Sequence, residues 1–215
     1  MTDFITIILT LILFSNIVLA SSSRLLHCIK TIAAQGVLVG LLPLCQAFAG
    51  GEGFGTRAAA LTAVNIAVKG ALLPALLSAA MRKAAVEREL EPFVGYSASA
   101  MLALAMIAAA FAAAARMGVV VAELSTLAVP AALSTMFCGL FLIVSRRKAI
   151  TQVIGFLAFE NGIAVFGASM MQHYGLFVEL GILLDVLVLV FIAGIGIFNI
   201  SREFSHIDAD KLGAD

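Results

Sequence analysis

The feature that most constrains this chain is a succession of apolar stretches, each near the ~20 residues that a bilayer-crossing helix requires. Seven can be read, at about 4–20, 27–48, 58–81, 93–115, 127–145, 150–171 and 177–200. Lipid offers no partner for backbone N–H and C=O groups, so such stretches fold as helices. The predicted class is all-α: a polytopic membrane protein with about seven spans and one membrane domain over 1–215. Composition agrees, because 62% of the residues are hydrophobic, whereas a soluble domain is nearer half. The mean hydropathy is +1.12. The first stretch has the length of a signal peptide. It lacks a basic leading region, Asp3 being the charge that precedes it, and is read as a retained span.

Short polar links separate the spans, and their basic residues alternate. Links one, three and five carry Arg24, then Arg82, Lys83 and Arg88, then Arg146, Arg147 and Lys148. Links two, four and six carry Arg57 and Arg116 alone. Basic residues concentrate on the cytoplasmic side, so the N-terminus is expected outside and the C-terminus in the cytoplasm, with 203–215 as a cytoplasmic tail. The spans 1–125 form a four-span N-terminal part and 126–202 a three-span part. The expected location is a membrane that borders the cytoplasm and is crossed several times.

The inventory for chemistry is thin. Cys28, Cys45 and Cys138 form no CxxC pair, and His27, His173 and His206 are scattered. Neither a zinc set nor an iron–sulfur set can be written from them. Phosphate-cradling and nucleophile-elbow motifs are missing. The expectation is therefore no cofactor, no metal, no nucleic-acid partner and no catalytic centre in this chain; the cysteines read as small buried hydrophobes.

What remains is charge inside the spans. Glu160, followed by Asn161, interrupts the sixth apolar stretch; Lys69 interrupts the third and Asp185 the seventh. A charged side chain at the bilayer centre costs about 2.5–3.5 kcal/mol on insertion scales. At ~1.5 Å per residue, Glu160 lies ~17 Å, Lys69 ~18 Å and Asp185 ~22 Å from the cytoplasmic span ends, in one central layer. Burial opposes the charged form of Glu160 and a nearby cation favours it. Opposed in this way, the group either exchanges protons near neutral pH or forms a static pair that holds helices together. Pro74 leaves the carbonyl of Gly70 without its helical donor, so the helix is weakened just after Lys69, as a functional break or as a packing kink. Gly155 and Gly162 share a face and admit a close neighbour. Gly181 shares a face with Asp185. Glu179 sits nearer the outer interface, where solvation is expected. Asn65 and Gln152 read as helix-to-helix bonds, and the alanine-rich fourth span as close helix packing.

Three blocks then carry a resemblance: Ile143 to Gly162, centred on Glu160; Ala67 to Pro74, around Lys69; and Val178 to Asp185. In order and spacing they resemble the hydrogenase-4 component E family. The resemblance implies a membrane subunit of a group 4 [NiFe]-hydrogenase assembly, such as a formate hydrogenlyase. The three-span part is similar to the K subunit of respiratory complex I and to the C subunit of Mrp-type antiporters. In those relatives intramembrane glutamates line a hydrated proton or ion route. Glu160 matches one such glutamate, and Asp185 a weaker equivalent. Partners implied are antiporter-like subunits and a subunit like the H subunit of complex I; nickel and iron–sulfur clusters would belong to partner chains.

Three functions follow. An energy-coupling subunit would use Glu160 as carrier, Lys69 as modulator and Asp185 as the continuation, with Asn161 and Glu179 along the route. A scaffold would hold larger subunits in register with the same charges paired. An autonomous transporter would show internal repeats with paired broken helices, and only one break, at Pro74, is found.

Overall fold

In the computed structural model, residues 2–49, 55–83, 93–116, 125–169 and 188 are described. All the elements among them are helical: α1 Thr2–Ser21, α2 Leu25–Gly40, α3 Leu42–Ala49, α4 Thr56–Asn65, a π-helical segment Ile66–Leu72, α5 Leu73–Lys83, α6 Tyr96–Arg116, α7 Ala128–Ser145 and α8 Ala149–Ser169. Among the described residues, six helical runs are long and apolar enough to cross a membrane. They coincide with the first six predicted spans. The seventh, with Glu179 and Asp185, lies outside the described residues apart from Val188, which is buried.

Proline explains one departure from an uninterrupted second span. Pro43 cannot donate to the carbonyl of Val39, and the helix is interrupted at Leu41 between α2 and α3. Pro74 acts similarly in the third span. There the chain relaxes into a π segment, in which the N–H of Leu73 bonds the carbonyl of Val68, five residues back. The predicted weakening after Lys69 is thus a widened turn that contains Lys69 itself.

Two glycine seams draw the helices together. Against α7, a Cβ at Gly155 would lie 2.9 Å from the carbonyl of Gly139, and one at Gly162 would lie 2.7 Å from the N of Met136. Gly139 faces the backbone of Phe159 even more closely. In the second seam, Gly36 and Gly40 of α2 form a small-xxx-small face. A Cβ at Gly36 would sit 2.8 Å from the carbonyl oxygen of Lys69, and one at Gly40 would sit 2.9 Å from Ile66 Cγ1.

The alanine-rich fourth span packs on the bundle through its small residues, as expected. α6 buries Ser99, Ala103 and Ala110 against the bundle, while Met101, Leu102, Leu104 and Phe111 stay exposed. It touches its neighbours along one narrow stripe of small side chains, which lets the backbones approach, and turns its large apolar side chains outward.

The C-terminal end of α1, the residues that lead into α6 and the α7–α8 turn meet at one end of the bundle. The N–H of Phe93 bonds the carbonyl of Ser145 at 3.0 Å. Arg146, only 1% exposed, donates through Nη2 to the carbonyl of Ala20 at 2.6 Å and to Ser99 Oγ at 3.5 Å. Its guanidinium lies 4.8 Å from the centre of the Tyr96 ring. At the opposite end the hydroxyls of Thr6 and Ser125 are 3.5 Å apart.

Candidate intramembrane charge site

Two apolar clusters fill the bundle, one toward each end, and every helix that joins both changes character between them. In α1 the residues Ile5, Ile8, Leu9 and Ile12 belong to one cluster, and Leu19 and Ala20 to the other. Ser15 and Asn16 fall between. In α2 Gln35 falls between Ile32 and Val39, in α7 Ser134 and Thr135 fall between Ala132 and Cys138, and in α8 Glu160 and Asn161 fall between Ala158 and Val165. Because neighbouring helices run in opposite directions, these breaks align into one polar layer at mid-bundle.

A chain of side-chain hydrogen bonds runs through that layer. Asn161 Nδ2 donates to Gln35 Oε1 at 3.1 Å. Gln35 Nε2 donates to Asn16 Oδ1 at 2.9 Å and to Ser15 Oγ at 2.8 Å. Asn16 Nδ2 donates to Thr135 Oγ1 at 2.9 Å, and that hydroxyl donates to the carbonyl of Ala131 at 2.7 Å. Cys138 Sγ donates to the carbonyl of Asn16 at 3.3 Å. Four helices are tied together in this way without one unit charge. Buried polar groups with partners rigidify a core, whereas each orphan costs about 1–3 kcal/mol.

Beside this chain the structure joins two of the three charged residues that interrupt the apolar stretches. Lys69 Nζ donates to Glu160 Oε1 in a salt bridge, and the residues are 5% and 1% exposed. Lys69 reaches Glu160 from the π segment. Widened turns of this kind recur at functional sites, where they aim a side chain that a regular helix would point elsewhere. Asn161 is brought to the same layer but faces Gln35. Asp185 and Glu179 lie outside the described residues.

Other expectations fare differently. The sequence suggests that Asn65 bonds another helix; its Nδ2 instead donates at 2.9 Å to the carbonyl of Leu61 in its own helix. A turn-to-turn bond satisfies the amide without a neighbour, since residues four apart share a face. Gln152 Nε2 donates at 3.0 Å to the carbonyl of Arg146, closing the turn between α7 and α8. Cys28, Cys45 and Cys138 are buried free thiols. Among the described residues, no three His, Cys, Asp or Glu side chains converge as a metal ion would need.

The kinship of the chain follows from one comparison. It is 33% identical over 188 residues to "Uncharacterized protein Rv0085" of Mycobacterium tuberculosis (strain ATCC 25618 / H37Rv), an alignment that takes in 86% of this chain and 83% of that protein. The chain belongs to the Rv0085 family. No family model matches it, and no solved structure matches it.

In this Rv0085-family chain, nothing in the sequence marks Asn16, Gln35 or Thr135. Neutral polar residues are ordinary in spans, and no single-sequence signal marks which of them meet. Gly36 and Gly40 did leave a signal, a small-xxx-small spacing in the second span.

Proposed function

We propose that this chain is the membrane subunit of a multisubunit complex of the group 4 hydrogenase type, and that Lys69 and Glu160 serve proton or Na⁺ translocation driven by redox chemistry on partner subunits. The observation that carries this reading is the Lys69–Glu160 salt bridge in the central polar layer, with Lys69 held on a π segment. A buried pair loses much of its attraction to desolvation, so it gives little stability for its cost and is better suited to a change of charge state. A proton delivered to Glu160 discharges the carboxylate and releases Lys69, and its departure restores the pair. The resemblance of the blocks around Lys69, Glu160 and Asp185 to hydrogenase-4 component E supports the setting. Partners on this reading are antiporter-like subunits and a subunit like the H subunit of complex I. The basic end of the bundle, with Arg146 and Arg147, faces the cytoplasm of a bacterial or archaeal cell.

A second reading has its own observation. The Asn161–Gln35–Asn16–Thr135 chain locks four helices with neutral groups, as a scaffold subunit without its own ion route would require.

Glu160→Gln separates the two. In vesicles containing the whole complex, the coupling reading expects the variant to assemble fully and lose redox-driven ion uptake. Full uptake by the assembled variant rejects that reading. The scaffold reading expects subunits to be lost on native gels, and their complete retention rejects it.

A further inference from the structure

Three contacts close a triangle around the charged pair. Lys69 on the π segment bonds Glu160 on α8. The backbone of the π segment lies against α2 at Gly36, where a Cβ would be 2.8 Å from the Lys69 carbonyl oxygen. α2 in turn holds α8 through Gln35, whose Oε1 accepts from Asn161 Nδ2 at 3.1 Å. Successive residues of α2 therefore fix the two partners separately: Gln35 fixes the residue next to Glu160, and Gly36 the backbone that carries Lys69.

We propose that Gln35 is a positioning residue for the Lys69–Glu160 pair: by holding Asn161 it sets the rotation of α8 that aims the carboxylate at the ammonium, while Gly36 keeps the π segment within reach. The proposal takes its functional meaning from the ion-handling reading above. Successive residues on a helix are ~100° apart, so a small rotation of α8 that releases Asn161 also swings Glu160. Gln35 is suited to the task because it is completely buried and is itself held from the far side. Its Nε2 donates to Ser15 and Asn16 of α1, which fixes its carbonyl oxygen toward α8. A residue held by one bond would follow α8; one held from both sides resists it.

The test reads Glu160 directly and needs no transport. A hydrophobic carbodiimide modifies the protonated form of a buried carboxyl, and the rate of modification follows how firmly the carboxylate is paired. The full chain is labelled in membranes of cells that produce it, and adducts at Glu160 are quantified by peptide mass spectrometry, with Glu160→Gln as the blank. Gln35→Leu and Gln35→Asn should each label Glu160 faster than the unaltered chain does, Gln35→Leu by the larger factor. Gly36→Ala should do the same from the Lys69 side. Arg146→Ala, which removes bonds at the end of the bundle, should lower the melting temperature and leave the rate unchanged; this separates positioning from general loosening. Thr31→Val, which loses a bond within α2 itself, should leave both unchanged.

Wild-type labelling of Gln35→Leu overturns the proposal, and if that variant does not accumulate, wild-type labelling of Gln35→Asn does so. Equal acceleration by Arg146→Ala also overturns it. Should Glu160→Gln retain full ion uptake while Gln35→Leu still accelerates labelling, the positioning role stands and the translocation reading falls.

Discussion

Lys69 and Glu160, 91 positions apart in sequence, meet as a salt bridge in the middle of the bundle. Removing one partner strands the other charge, at a cost of about 3–5 kcal/mol, whereas replacing both with apolar or neutral groups is often neutral or stabilising. Lys69→Met and Glu160→Gln should therefore each lower the melting temperature of the purified chain, and the double variant should recover most of the loss. A double variant less stable than either single one would show that the two side chains do not depend on each other.

The α7–α8 seam predicts an asymmetry among glycines. A Cβ at Gly139 meets the backbone of Phe159, which cannot swing aside, while one at Gly95 meets nothing within 4 Å. Gly139→Ala should destabilise by about 1–3 kcal/mol, the usual range for overpacking. Gly95→Ala should be close to neutral. The comparison is read by thermal unfolding in detergent, and equal effects at the two sites would contradict the close approach.

The visible part of this design was its charge. Glu160 and Lys69 stand out because an ionised group in an apolar run is costly wherever the run packs, so sequence alone marks them. The kink after Lys69 was readable because Pro74 removes a particular donor. The form it takes was not: a π turn depends on how α2 presses against the segment at Gly36 and Gly40. The amide chain was illegible for a different reason. Asn16, Gln35 and Thr135 are each unremarkable alone, and their meeting depends on the antiparallel register of four helices. In α6 the small residues that pack, Ser99, Ala103 and Ala110, are hidden among other alanines, so sequence alone does not say which of them face the bundle.

The amide chain makes its own prediction. Asn16 accepts from Gln35 and donates to Thr135, so Asn16→Leu leaves a buried donor on one side and a hydroxyl on the other without that partner. A loss of about 1–3 kcal/mol is expected, measured by unfolding. Thr135→Val, which removes only the last link, should cost less. The reverse order would mean that the chain is not anchored through Asn16.

At the basic end, Arg146 combines bonds to Ala20 and Ser99 with a stacked position over Tyr96. A lysine keeps the charge but has no planar group to stack while donating sideways. Arg146→Lys should thus lose much of what Arg146→Ala loses, with a lower melting temperature in both. Full stability of the lysine variant would reduce the role of Arg146 to its charge.

The proposed orientation can be read with thiols, because Cys28, Cys45 and Cys138 are buried and give a low background. Arg147 and Thr126 are exposed, and lie toward opposite ends of the bundle at the two ends of α7. If the basic end faces the cytoplasm, a membrane-impermeant maleimide should label Arg147→Cys in inside-out vesicles and Thr126→Cys in right-side-out ones. Each variant is thereby the control for the other, since a leaky preparation would label both. The opposite pattern would invert the chain in the membrane while leaving the Lys69–Glu160 pair at the same central depth. The pairing chemistry would be unchanged by such an inversion.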